Sequence, residues 1–139
     1  MIRTTLICII ATSAGAQPFA SEVLDYTPAP GQFVNDPDFN NPADALGPPD
    51  TSIDPASTGT VTLGGLGGSI TLRMPRTVLD DPRNRLGLDA IVFGNAFYLA
   101  GDPTRRFAEP GLIEIALDTN NNGIPDDTFS PCAGSHSTT

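Results

Sequence analysis

The richest run of chemistry-bearing residues is Asp118-Thr119-Asn120-Asn121-Asn122-Gly123-Ile124-Pro125-Asp126-Asp127. With Asp118 as position 1, oxygen side chains fall at positions 1, 3, 5 and 9, and Gly123 stands at position 6. A hard divalent cation gathers about six to eight oxygens at ~2.3–2.6 Å, alternate side chains of a tight loop turn toward one point, and a glycine allows the sharp bend. The spacing predicts a calcium loop with Asp118, Asn120, Asn122, the main-chain carbonyl of Ile124 and Asp126 as ligands. It is not a full helix-loop-helix hand. Position 12 is Phe129, which has no carboxylate to give, and position 8 is Pro125, where such a hand carries an aliphatic residue. Only Asp118 and Asp126 bring formal charge, with Asp127 or Glu109 as candidates to complete the shell. The expected affinity is therefore weak, in the ~10⁻⁴–10⁻³ M range of extracellular modules. The alternative is an Asn/Asp/Gly turn whose side chains bond their own backbone.

Other chemistries have less to work with. Acid-base hydrolysis would draw on Glu109, Glu114, Asp89 and Asp102, but a glycosidase needs two carboxylates at a set separation, and spacing along the chain does not supply it. Glu114 is expected to face solvent on its strand, and Glu109 fits as an ion-pair partner for Arg105 or Arg106. The run Gly64-Gly65-Leu66-Gly67-Gly68 lacks the Lys-Ser/Thr ending and the following helix of a phosphate loop. Cys132 lies in a Ser/Pro/Gly/Thr tail with His136 four residues on, and reads as a stray thiol rather than a nucleophile. A sugar site commonly offers aromatic faces, yet there is no Trp, and Tyr26 and Tyr98 are the only tyrosines.

Positioning the loop calls for strands. Gly and Pro number 14 each among 139 residues, about a fifth together, which disfavours long helices. The 39% hydrophobic fraction gathers into short β-branched and aromatic runs, which argues against disorder. Val61–Leu63 and Ser69–Met74 are expected as strands of a hairpin turning at Gly64–Gly68. Leu88–Phe97 (LDAIVFGNAF) is expected as the central buried strand, with Asn95 as a polar group inside it. Leu112–Leu117 (LIEIAL) alternates as a half-buried strand leading into the loop. Thr27–Thr58, dense in Pro, Asp and Asn, reads as a long wrapped loop, because Phe33, Val34, Phe39 and Leu46 within it need burial. About five strands with long loops and no crossover helices predict an all-β, antiparallel β-sandwich over residues 17–128, with an irregular tail at 129–139.

The first sixteen residues set the address. Arg3 gives a positive start, Leu6–Ala11 a short apolar stretch, and Ala14-Gly15-Ala16 a small-residue cleavage site before Gln17, the pattern of a secretory signal peptide at 1–16. No stretch approaches the roughly 20 apolar residues of a membrane span, so no membrane span is expected. Cleavage would remove Arg3 and Cys8. That leaves six Arg against 16 Asp and Glu, a net charge of −10 instead of −9, and leaves Cys132 without a partner for a disulfide. There is no Lys. A chain this acidic is repelled from a duplex carrying one phosphate charge per about 1.7 Å, so nucleic acid is not an expected partner.

Two resemblances attach to these residues. DTNNNGIPDD resembles the aspartate-rich calcium loops of thrombospondin type-3 and dockerin-like repeats, closest to the former through Ile124-Pro125-Asp126 after the glycine. More of the chain resembles a family of secreted bacterial cell-surface proteins: VLDYTPAPGQFVND at 23–36, VTLGGLGGSITLRM at 61–74, LDAIVFGNAFY at 88–98 and FAEPGLIEIALD at 107–118, followed by the loop. The resemblance implies a jelly-roll-like surface domain. The tail departs from it: TFSPCAGSHSTT at 128–139 stands where such proteins continue into an aromatic-rich strand, so the expectation is a sandwich truncated at its C-terminus. The combined expectation is a secreted or cell-surface, non-catalytic structural or binding protein with a calcium-stabilised loop. Its partners would be calcium and a surface glycan or another envelope protein; the alternatives are a calcium-dependent glycan-binding module or a glycoside hydrolase fragment.

Overall fold

A computed structural model describes residues 2–3, 19–49, 59–79, 90–94, 96–107 and 111–132. Most of the expected signal segment, Asn95 and Glu109 lie outside the described residues. The described chain is helix-poor and mostly β, built from short strands: β1 (Ile2–Arg3), β2 (Glu22–Thr27), β3 (Ser69–Arg73), β4 (Phe97–Tyr98), β5 (Arg106–Phe107), β6 (Gly111–Leu112), β7 (Glu114–Ile115) and β8 (Ser130–Pro131). They pair as four two-stranded ladders. β2–β3, β4–β5 and β7–β8 are antiparallel, and β1–β6 is parallel.

The longest ladder is β2–β3, with Glu22 opposite Arg73, Tyr26 opposite Ile70 and a register shift between Val23 and Asp25. β3 is the most buried of the described strands. Its Ile70, Thr71 and Leu72 are buried in succession, so both of its faces are covered, and the β-branched pair Ile70-Thr71 suits such a strand. Ile70, Leu72 and Ala116 are the buried apolar residues among those described.

The expected hairpin partner of β3 is displaced. Val61–Leu63 forms no strand, and β3 pairs instead with β2, a segment far upstream. The glycine run still turns the chain, but against Ala29: Ala29 N–H donates to the Leu63 carbonyl at 3.0 Å, and Gly64 bridges Ala29 in parallel. Gly64 has φ +70°, and a Cβ there would collide with the Ala29 carbonyl oxygen. Close backbone approach, which only glycine permits, therefore fixes this run.

The expected buried strand at Leu88–Phe97 is also corrected. Residues 90–94 belong to no ladder, and Ile91, Val92 and Phe93 are 64%, 44% and 69% exposed. Apolar content marks a segment able to pair, but burial needs neighbours on its flanks and faces. Among the described residues β2 occupies that role for β3, and nothing does so for 90–94.

The wrapped loop is ordered over its described part, 28–49. Thr62 N–H donates to the Phe39 carbonyl at 2.8 Å and Thr62 Oγ1 to the Gln32 carbonyl at 3.0 Å, while Gly47 N–H reaches the Ala20 carbonyl at 3.0 Å. Tyr26 Oη donates to the Thr62 carbonyl at 2.7 Å, and the Phe33 and Phe39 rings lie 5.0 Å apart, centre to centre. A 3-10 turn at Pro42–Ala45 is capped by Asn41, whose side chain accepts from Ala43 N–H. The start of the expected irregular tail is strand-paired: Ser130 lies opposite Ile115 and Pro131 opposite Glu114. Cys132, a free cysteine, continues this contact through its N–H to the Ile113 carbonyl at 2.9 Å. No described helix is long and apolar enough to cross a membrane.

Candidate metal centre

The strand that feeds the loop has the opposite facing to that expected. Glu114 is 6% exposed, Ala116 is buried and Asp118 is 3% exposed, whereas Leu117 is 45% exposed. Side chains alternate across a strand, so a one-residue change of facing moves the whole set. The pairing of β7 with β8, together with Ala116 in the core, selects the face that carries Glu114 and Asp118 inward. Glu114 therefore does not face solvent, and the first residue of the candidate loop is planted in the protein instead of hanging from its edge.

From that anchor the loop closes on its own backbone. Asp118 Oδ1 accepts from Asn122 N–H at 3.2 Å and Oδ2 from Gly123 N–H at 2.9 Å. Asn120 Oδ1 shares the Asn122 N–H at 2.9 Å. Asn122 Oδ1 accepts from Ile124 N–H at 2.8 Å, and its Nδ2 donates to Asp126 Oδ2 at 3.0 Å. Asn121 at φ +56° and Gly123 at φ +73° make the two left-handed steps that curl the chain. Asn tolerates this region better than most residues, and Gly enters it freely.

The four side chains read from the sequence as ligands are thus brought together by hydrogen bonds. The fifth group, the Ile124 carbonyl, accepts from Asp126 N–H at 2.9 Å, while the Ile124 side chain is exposed. Asp127 points elsewhere. Its Oδ1 accepts from Thr119 Oγ1 at 2.6 Å and from Thr119 N–H at 3.4 Å, and its buried Oδ2 has no hydrogen-bond partner.

One residue of the site has no spacing signal in the sequence. Arg73, at the end of β3, donates from Nη2 to the Gly123 carbonyl at 2.6 Å and pairs through Nη1 with Glu22 at 2.7 Å. A Cβ at position 123 would stand 2.7 Å from Nη2, so the glycine serves the docking of this guanidinium as well as the bend. Arg73 joins β2, β3 and the loop, segments about fifty residues apart, and only the folded chain reveals it.

The donor set is all oxygen, which suits a hard cation. Carboxylate and amide oxygens each have more than one lone pair, so a hydrogen bond to main-chain N–H leaves capacity for a metal. The charge is low: among the described residues no group of three or more His, Cys, Asp or Glu side chains gathers around a point. Two hollows among the described residues lie elsewhere. One of about 510 Å³ is walled by Phe33, Val34 and Asp36, and one of about 500 Å³ by Phe19, Leu46 and Pro75. Asp36 is the lone carboxylate in either lining. The chain matches no family model, no curated protein and no solved structure.

Proposed function

We propose that the chain is a secreted or cell-surface, non-catalytic structural or binding protein, of β-sandwich, jelly-roll-like architecture, whose loop at 118–127 is stiffened by calcium. The observation that carries this reading is the convergence of Asp118, Asn120, Asn122 and Asp126 on one turn, rooted at a carboxylate that is 3% exposed. Two carboxylates and two amides make a weak site, suited to a compartment where calcium is abundant. Export rests on the signal-like pattern of residues 1–16. Its removal takes away β1 and leaves β6 without that partner.

The test is thermal unfolding of the full chain, followed by circular dichroism, in chelator and then in millimolar calcium. A ligand that binds only the native state adds RT ln(1 + [L]/Kd), about 2.7 kcal/mol at 100 times Kd. For a domain of this size that raises the midpoint by roughly 10 °C. The rise is expected in the parent chain and absent in Asp118→Ala. A cooperative melt indifferent to calcium overturns the metal reading and leaves the loop as a self-bonded turn.

A further inference from the structure

The sequence contains a single Asn-Gly pair, Asn122-Gly123, and it falls where the loop hydrogen bonds are densest. An Asn side chain followed by glycine is open to attack by the next main-chain nitrogen on its own amide carbon, because glycine has no Cβ to obstruct the five-membered ring. Three neighbours bear on that reaction. The Gly123 N–H, the nucleophile, points at Asp118 Oδ2 at 2.9 Å. The Asn122 side-chain oxygen, Oδ1, where negative charge develops, accepts from Ile124 N–H at 2.8 Å. The leaving amide nitrogen, Nδ2, is held by Asp126 Oδ2 at 3.0 Å. Asn122 is also exposed, so water reaches it.

From this arrangement we infer that Asn122 is a self-modification site, deamidated in the folded loop with assistance from Asp118 and the Ile124 N–H. The Gly123 nitrogen forms a bond to Asn122 Cγ while its proton passes to Asp118 Oδ2. The Cγ–Nδ2 bond then breaks, and the nitrogen leaves as ammonia with that proton. The resulting succinimide is opened by one water molecule at either carbonyl, giving aspartate or isoaspartate. The net change is amide plus water to acid plus ammonia, without oxidant or cofactor. A carboxylate within hydrogen-bond reach of the proton it accepts has the geometry of a general base, and main-chain N–H donors at a developing oxyanion stabilise it. An aspartate product adds a third carboxylate beside Asp118 and Asp126, whereas isoaspartate lengthens the backbone inside the turn. Neither step needs a bound cation.

The full chain is incubated at neutral pH with chelator, folded in buffer and unfolded in urea. The peptide released by cleavage after Arg106 is then followed by mass spectrometry, with fragment ions separating Asn122 from Asn120 and Asn121. The folded chain is expected to convert at Asn122 at least about tenfold faster than the unfolded chain, below the ~10²–10⁴-fold of a base in an enclosed site because the loop is exposed. Asp118→Asn is expected to bring the folded rate down to the unfolded one while leaving the rate in urea unchanged. A folded rate equal to or below that in urea overturns the inference, as does a folded rate indifferent to Asp118→Asn. The comparison of the parent chain in its two states decides the matter even where the variant does not fold. Because chelator is present throughout, the result is independent of the calcium reading.

Discussion

Replacing Arg73 by Met keeps most of its apolar stem and removes its charge and donors, which isolates the polar link between the sheet and the loop. Two interactions are lost. The contact with Glu22 at 2.7 Å involves a carboxylate side chain that is half exposed, and such pairs contribute about 0–1 kcal/mol. The 2.6 Å hydrogen bond to the Gly123 carbonyl has a charged donor on a partly buried side chain, a class that contributes about 1.5–3 kcal/mol. Removing the buried, unpartnered Nε offsets part of this loss. The expected net destabilisation is about 2 kcal/mol, or roughly 8 °C in midpoint for a domain of this size. Urea unfolding of the full chain measures it as a lowered midpoint at unchanged slope. Glu22→Gln, which breaks only the ion pair, is expected to cost under about 1 kcal/mol. Hydrogen exchange adds a local readout: the Asn122 and Gly123 amides should lose protection in Arg73→Met and keep it in Glu22→Gln. An Arg73→Met chain within about 0.5 kcal/mol of the parent, the usual range for surface substitutions, would refute the claim that this guanidinium docks the loop.

Three other perturbations probe the frame. Ala116→Asp places a carboxylate in the core and should cost more than about 3 kcal/mol, whereas Leu117→Asp, on the solvent side, should cost under about 1 kcal/mol; equal costs in urea unfolding would reverse the facing assigned to this strand. Burial raises the Tyr26 hydroxyl above its ordinary value near 10, so its contribution is complete below that pH and is lost as pH rises through the folded value; absorbance titration of the phenolate follows it, and Tyr26→Phe should cost about 1 kcal/mol through the lost bond to Thr62. Asp102 is held below its ordinary value by the Thr104 side-chain hydroxyl and then by the Thr104 N–H, so its contribution is present above pH 3.8 and is lost as pH falls through the folded value. Carboxyl NMR titration should therefore show the Asp102 value rising in Thr104→Val, and an unchanged value would sink that assignment.

Local chemistry made much of the candidate site legible. The Asx turns of Asp118, Asn120 and Asn122 connect residues only two to five apart, so their formation follows from residue type and spacing in DTNNNG. The ordered loop at 28–49 is readable only in part: its turns bring partial cover to Val34, Phe39 and Leu46, whereas Phe33, expected to need burial, is 54% exposed. The buried strand expected at 88–97 fails over its described residues 90–94, and the hairpin expected at 61–74 does not form, because hydrophobicity states that a segment can be buried and not which segment arrives beside it. β3 finds its partner in β2, and the run at 91–93 is left exposed. The facing of Glu114 was misread because alternation gives the period of a strand and leaves its phase open. In LIEIAL the three larger apolar side chains at 113, 115 and 117 suggested one phase, and packing chose the other.

The sequence by itself determined a helix-poor β chain, an acidic charge balance, the turn chemistry of the glycine and asparagine runs, and a loop with oxygen donors at cation spacing. Each of these depends on backbone preference or on groups within a few residues of one another, where chain connectivity already holds the partners close. Tertiary structure decided which strand is most buried, which face of β7 is buried, and that Arg73 grips the loop at Gly123. Those outcomes depend on contacts between segments from about fifteen to about fifty residues apart. Their selection is made by the competition of whole surfaces for one small core, where the fit of Ile70, Leu72 and Ala116 outweighs the pull of any single apolar run.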